Sequence, residues 1–141
     1  MRQINPPPAV RRHSAAMSSA PETVLVVDDD AAVRSALKFA LEVEGFAVKL
    51  YAGSTALLAE PALPDRACLV IDYRMPGVDG LELVKRLRAR QVALPAILIS
   101  GRVDDHLRHR AQQSGIFCVL EKPLIDMALV DSIRQVLGLT D

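Results

Sequence analysis

From Thr23 onward the chain alternates two kinds of apolar pattern. The first is a short run rich in β-branched residues: TVLVVD, FAVKLY, CLVID, PAILIS and IFCVLE. Runs of this length, bounded by turn residues, fit strands that are buried on both faces of a parallel sheet. The second pattern is apolar residues at helical spacing. Val33, Ala36, Leu37, Ala40 and Leu41 share one face, and Gly45 follows as a C-terminal stop. A short helix is expected around Ser54–Leu58, before the Pro-containing loop PALPDRA. Leu81, Val84 and Leu87 line one side of LELVKRLRAR, a polar helix is predicted from about Val103 to Ser114, and a last helix from Met127 to Leu137. Strands alternating with helices in this way predict an α/β fold with a parallel sheet covered on both faces.

Residues 1–22 break the pattern. MRQINPPPAVRRHSAAMSSAPE carries a Pro triplet and no sustained apolar period. Such a segment cannot offset its ordering entropy and is predicted to be a disordered tail, leaving residues 23–141 as the folded domain. The whole chain has 141 residues, half of them hydrophobic, and zero formal net charge, which suits one domain with a proper core. Balanced charge and 4% aromatic residues offer neither a basic surface nor a stacking platform for direct nucleic-acid binding. No apolar run approaches the roughly 18 residues of a membrane span, and the N-terminus lacks the apolar stretch of a signal peptide, so a cytoplasmic protein with no membrane partner is expected. Cys68 and Cys118 stand singly among apolar residues, which is neither zinc-site nor disulfide-framework spacing; reduced core thiols are expected.

In open α/β sheets, ligands sit beyond the carboxyl ends of the strands, where the strand order reverses. The polar residues at those ends are Asp28, Asp29 and Asp30, then Asp72, then Ser100, then Lys122. Asp30 also suits the N-cap of the first helix. Carboxylates converging in one crevice repel by several kcal/mol at an effective dielectric of about 20, and therefore need a cation. Hard oxygen ligands without thiols or imidazoles select Mg²⁺. Lys122 brings a fixed positive charge and Ser100 a hydroxyl donor, the equipment for holding a phosphoryl group in its trigonal transition state. No histidine or cysteine is placed to be the nucleophile. A carboxylate remains, and aspartyl phosphates are an established covalent intermediate.

In this order, VLVVDDD, CLVIDYRMPGVDG, ILISG and LEKP resemble the receiver domain of bacterial two-component response regulators. The resemblance runs from about Thr23 to Asp141. Within that family the chain most resembles receivers of the nitrogen-fixation regulator type, through its DDDAAVR stretch and LEKP ending. The resemblance implies a flavodoxin-like three-layer sandwich with a five-stranded sheet in the order 2-1-3-4-5. It implies that Asp72 accepts a phosphoryl group, and that Asp28, Asp29, Asp72 and the backbone carbonyl of Arg74 serve Mg²⁺, Asp28 through a bound water. Ser100 and Lys122 would contact the phosphoryl oxygens, and the Lys122-Pro123 bond would be cis. The donor would be a sensor histidine kinase or a histidine phosphotransfer protein in a phosphorelay. The output would pass to an effector protein, or a second copy of the chain, through helix four, strand five and helix five. Such a domain is a signalling switch rather than a turnover enzyme.

Two other readings compete. A phosphohydrolase of the haloacid dehalogenase type also uses an aspartate nucleophile and Mg²⁺, and Asp28 and Asp30 have its D-x-D spacing, but it leaves Asp72 and the MPG loop without a role. A flavodoxin-like cofactor binder would need glycines and free N–H groups after strand one, where Asp28–Asp30 would repel a phosphate. Within the receiver reading there are departures. The family usually has Tyr or Phe three residues before the lysine, where this chain has Val119; Phe117, two residues earlier, is expected on the same strand face. Arg74 and Arg102 occupy variable positions expected at the pocket rim.

Overall fold

Period-two alternation decides which way each strand residue points, and here it divides the interior into two apolar layers. The computed structural model describes residues 20–124 and 126–139. Residues 1–19, most of the expected tail, lie outside the described residues. The elements in chain order are β1 (Thr23–Val27), α1 (Ala31–Val43), β2 (Ala47–Tyr51), α2 (Ser54–Leu58), β3 (Cys68–Asp72), α3 (Gly80–Ala89), β4 (Ala96–Ser100), α4 (Asp105–Gln113), β5 (Cys118–Glu121) and α5 (Ala128–Val136). The strands form one parallel sheet in the order β2-β1-β3-β4-β5, as expected. The order reverses between β1 and β3.

Val24, Val26, Cys68, Val70, Ile97 and Ile99 face one way and pack with Leu37 and Leu41 of α1 and Leu129, Val130 and Ile133 of α5. Their sequence neighbours Leu25, Val27, Leu69, Ile71 and Leu98 face the other way, against Leu57 of α2, Leu81, Val84 and Leu87 of α3 and Leu107 and Ala111 of α4. Both faces of β1, β3 and β4 are therefore buried, which explains why those runs read as continuously apolar. Each fully buried Leu, Ile or Val contributes roughly 1.5–3 kcal/mol of transfer free energy. β2 is an edge strand, and its exposed Lys49 is the kind of charge that guards an open edge.

The polar helix expected from about Val103 begins later than its sequence suggested. Asp104 caps α4 by accepting from the Leu107 N–H at 2.8 Å, so Val103 and Asp104 belong to the preceding loop. Phe117 is a second difference. It precedes β5 and is 44% exposed, whereas Val119 is 7% exposed in the α3/α4 layer. The strand begins one residue too late to turn the Phe117 ring into that layer. Cys68 and Cys118 are both free thiols, buried and half-buried respectively. Burial pushes the Cys68 thiol up to about 12, and the neighbouring Cys118 adds to the effect.

Candidate functional site

Val27 of β1 lies in register with Ile71 of β3, so the next residues along, Asp28 and Asp72, leave the sheet side by side. Asp28 continues the Val24–Val26 alternation and Asp72 the Cys68–Val70 alternation, so both carboxylates leave on the same side of the sheet. One oxygen from each of Asp28, Asp29 and Asp72 lies within 4.8 Å of the others. Asp28 and Asp72 are buried, Asp29 is exposed.

Lys122 follows β5 and reaches across to this cluster. Its Nζ is 3.0 Å from Asp72 Oδ1 and 3.4 Å from Asp28 Oδ2. Its backbone N–H donates to the Ser100 carbonyl at 2.8 Å, which ties the end of β5 to the end of β4, and the Lys122-Pro123 peptide is cis. The remaining polar atoms of Asp28 are well occupied: Oδ1 accepts the Asp30 N–H at 2.9 Å, and the carbonyl accepts from Arg34 Nη1 at 2.7 Å. Asp72 differs. Among the described residues its carboxylate meets a donor only at Lys122. Burial raises the Asp72 carboxyl above its ordinary range, the Lys122 hydrogen bond opposes that rise, and Asp28 and Asp29 reinforce it. For Lys122, burial alone would lower the ammonium, but Asp72 and Asp28 outweigh it and hold the group above its usual value.

Ser100 is 1% exposed. Its Oγ donates to the Arg102 carbonyl at 2.9 Å and accepts the Arg102 N–H at 3.3 Å, so the hydroxyl is engaged with its own loop. Arg74 and Arg102 are exposed, and the Arg74 guanidinium lies over the Tyr73 ring at 5.5 Å from its centre. The Arg74 carbonyl accepts no hydrogen bond among the described residues.

The D-x-D arrangement is not assembled. Asp30 accepts from the Ala32 and Val33 N–H groups as the N-cap of α1, and so serves the helix rather than the crevice.

Several contributors were not singled out from the sequence. Gly80 opens α3 directly against the end of β3: a Cβ built on it would stand 2.6 Å from the Asp72 carbonyl oxygen and 2.7 Å from Leu98 Cδ1. Its N–H donates to the Tyr73 carbonyl at 2.8 Å. The loop before it is held by Gly77 at φ +78°, by the Asp79 cap on the Glu82 N–H, and by Ser54 Oγ, which donates to the Val78 carbonyl at 2.8 Å. A D-G dipeptide reads as a turn, and only a glycine needing room for a neighbouring backbone distinguishes this one. Arg34 fixes the Asp28 backbone from α1, a contact with no signal in residue spacing.

The donor set suits a hard divalent cation. Three carboxylates and an unoccupied carbonyl supply only oxygen, and Lys122 alone cannot balance three negative charges. The arrangement places a buried, sparsely bonded carboxylate next to a fixed ammonium. That is suited to attack on an electrophile that carries several anionic oxygens.

The family described as response regulator receiver domain matches residues 24–134. The transcriptional regulatory protein FixJ of Azorhizobium caulinodans is 43% identical over 115 residues, which cover 82% of this chain and 54% of that protein. The C4-dicarboxylate transport transcriptional regulatory protein DctD of Pseudomonas aeruginosa is 38% identical over 114 residues, covering 81% of this chain and 25% of that protein. A crystal structure titled FixJ-N superposes with a TM-score of 0.77 at 33% identity, covering 87% of this chain and 98% of that one. The chain spans about half the length of the FixJ regulators it matches. Among the described residues, no helix is long and apolar enough to cross a membrane.

Proposed function

Because the chain belongs to the response regulator receiver domain family of two-component signalling, whose general role is that of a phosphorylation switch, we propose that Asp72 is its phosphoryl acceptor. The observation that carries this reading is the state of the Asp72 carboxylate: buried, beside two further carboxylates, and met among the described residues by one donor, Lys122, at 3.0 Å. In its ionised form the Asp72 carboxylate keeps oxygen lone pairs available for attack, whereas Asp28 is held by the Asp30 N–H and by Lys122 together.

In the reaction, an Asp72 carboxylate oxygen forms a bond to phosphorus as the bond from phosphorus to the donor breaks, the donor being the imidazole of a phosphohistidine. Lys122 offsets charge on the phosphoryl oxygens, and the Ser100 hydroxyl turns from the Arg102 carbonyl to donate to one of them. Asp28, Asp29, Asp72 and the Arg74 carbonyl would hold Mg²⁺. When bound, that ion offsets the carboxylate charges and the charge on the transferring group. A sensor histidine kinase or a histidine phosphotransfer protein supplies the group, and the domain works in the cytoplasm as a switch. The surface of α4, β5 and α5 passes the change to an effector or a second copy; the regulators it resembles are transcriptional by name.

Incubation with acetyl phosphate tests the reading. The account expects one Mg²⁺-dependent phosphoryl group per chain, labile to hydroxylamine. Continuous release of inorganic phosphate far beyond one equivalent, without a labelled protein, would assign the site to a phosphohydrolase instead.

A further inference from the structure

α3 starts beside Asp72 and runs back along the sheet, so its last turn lies about 12 Å from the strand-end crevice at 1.5 Å per residue. There, between α3 and α4, is a groove of about 530 Å³ lined by Lys85, Arg88, Arg110, Gln113, Ser114 and Gly115. Three cations and two hydrogen-bonding side chains face it, with no carboxylate and no aromatic ring among the lining residues. In a chain of zero net charge this is a local excess. Among the described residues, none of the three cations pairs with a carboxylate. Glu82, the acid nearest Lys85 in sequence, is taken by Arg86 at 3.2 Å.

Local roles account for part of this. Arg88 and Arg110 sit in the last turns of α3 and α4, where a cation complements the helix dipole. Arg88 Nη1 donates to the Val92 carbonyl at 2.9 Å and Arg110 Nη1 to the Tyr73 hydroxyl at 3.1 Å. Each contact uses one nitrogen of a three-nitrogen fork. Lys85 is exposed in the body of α3 and has no recorded partner among the described residues. Arg88 is half-buried, and burial lowers its pKa, so a guanidinium is held partly out of water without a counter-charge.

We propose that this groove binds a small polyanion of the inorganic diphosphate or short polyphosphate class, at a site separate from the Asp72 crevice. Guanidinium forks match phosphate oxygens and a lysine adds a point charge. The groove lies within the usual size range of small-ligand sites, roughly 300–1,000 Å³. The absence of an aromatic ring among its lining residues leaves no platform for a nucleobase, so recognition rests on the phosphate chain. Through Arg110 and the Tyr73 hydroxyl, occupancy reaches the residue that follows Asp72.

The test is a titration of the ¹⁵N-labelled full chain with sodium tripolyphosphate, in EDTA without Mg²⁺ and at about 0.15 M salt, where exposed charges are screened beyond about 8 Å. Saturable shifts are expected at the amides of Lys85, Arg88, residues 110–115 and Tyr73. Lys85→Gln, which disturbs no contact in the structure, should weaken binding several-fold, and Lys85→Gln with Arg110→Gln by about tenfold or more, roughly 1.4 kcal/mol. Lys38→Gln, on the opposite face, should leave affinity unchanged. Non-saturable shifts spread over all cationic surfaces, shifts centred on Asp28, Ser100 and Lys122, or an affinity indifferent to Lys85→Gln would each overturn the proposal. No phosphoryl transfer is measured, so failure here is distinct from failure of the receiver reading.

Discussion

Gly80 lies so close to Asp72 that an added Cβ would stand 2.6 Å from the Asp72 carbonyl oxygen. That contact is with backbone, which cannot swing aside as a side chain can. Gly80→Ala should therefore push α3 from the end of β3, costing about 1–3 kcal/mol and displacing the very residue proposed as nucleophile. Urea unfolding and phosphoryl uptake from acetyl phosphate check this together: both should fall. Unchanged stability with unchanged uptake would mean that the helix moves at no cost.

The charge on Asp72 should make the metal-free protein less stable. Burial first, then Asp28 and Asp29, raise its pKa against the opposing pull of Lys122. A carboxyl whose folded pKa is raised binds its proton more readily in the folded state, so its contribution to stability is present below its unfolded pKa and is lost as pH rises through the folded value. Asp72→Asn removes that loss. In EDTA, the stability of Asp72→Asn relative to the parent should increase as pH rises out of the ordinary carboxylate range, read by urea denaturation at each pH. Added Mg²⁺ should then stabilise the parent more than the variant. A relative stability that falls over the same pH range would contradict the burial argument.

Cys68 should be silent to thiol reagents in the native state. With its pKa pushed up to about 12, only about one thiol in a thousand is ionised at pH 9, and burial denies access as well. Cys118, half-buried with a pKa raised chiefly by burial, should react slowly, and both should react at once in urea. Time-resolved labelling with intact-mass detection distinguishes the two. Fast native modification of Cys68 would mean that β3 is not the interior strand described.

Phosphorylation should be felt along the loop after β4. The Ser100 hydroxyl now bonds the Arg102 backbone on both sides, and turning it toward a phosphoryl oxygen gives up those bonds. Val119, 7% exposed and short, cannot sweep the volume an aromatic ring would, so the loop and α4 are left to respond. α4 is polar but is pinned by Leu107 and Ala111, so it should shift as a unit rather than melt. Hydrogen exchange with a beryllofluoride mimic should change protection across residues 101–120. A change limited to Asp72, Ser100 and Lys122 would leave a phosphoryl shuttle without a switch.

What the sequence disclosed follows from what determines it locally. β1, β3 and β4 were legible because burial on both faces leaves polar residues only at the ends of each run. Asp28, Asp29, Asp72 and Lys122 could be read as neighbours because topology puts every strand end at one edge, and the structure brings their charged groups together there, whereas the Ser100 hydroxyl is engaged with the Arg102 backbone. Gly80 and Arg34 were not. Their importance lies in a distance to another element, 2.6 Å to a carbonyl and 2.7 Å from guanidinium to the Asp28 carbonyl, and no spacing along the chain encodes it. Phe117 misled because alternation assumes that the strand already runs there, and β5 starts at Cys118.

The central claim is that Asp72 itself carries the phosphoryl group. Protein incubated with acetyl phosphate and Mg²⁺ can be trapped with borohydride, which reduces an aspartyl phosphate to homoserine, and then digested for peptide sequencing by mass spectrometry. The account predicts homoserine at position 72 and nowhere else, and none without Mg²⁺ or in Asp72→Asn. Homoserine at position 28 or 29, or a stable phosphoester on Ser100 with Asp72 unmodified, would contradict it.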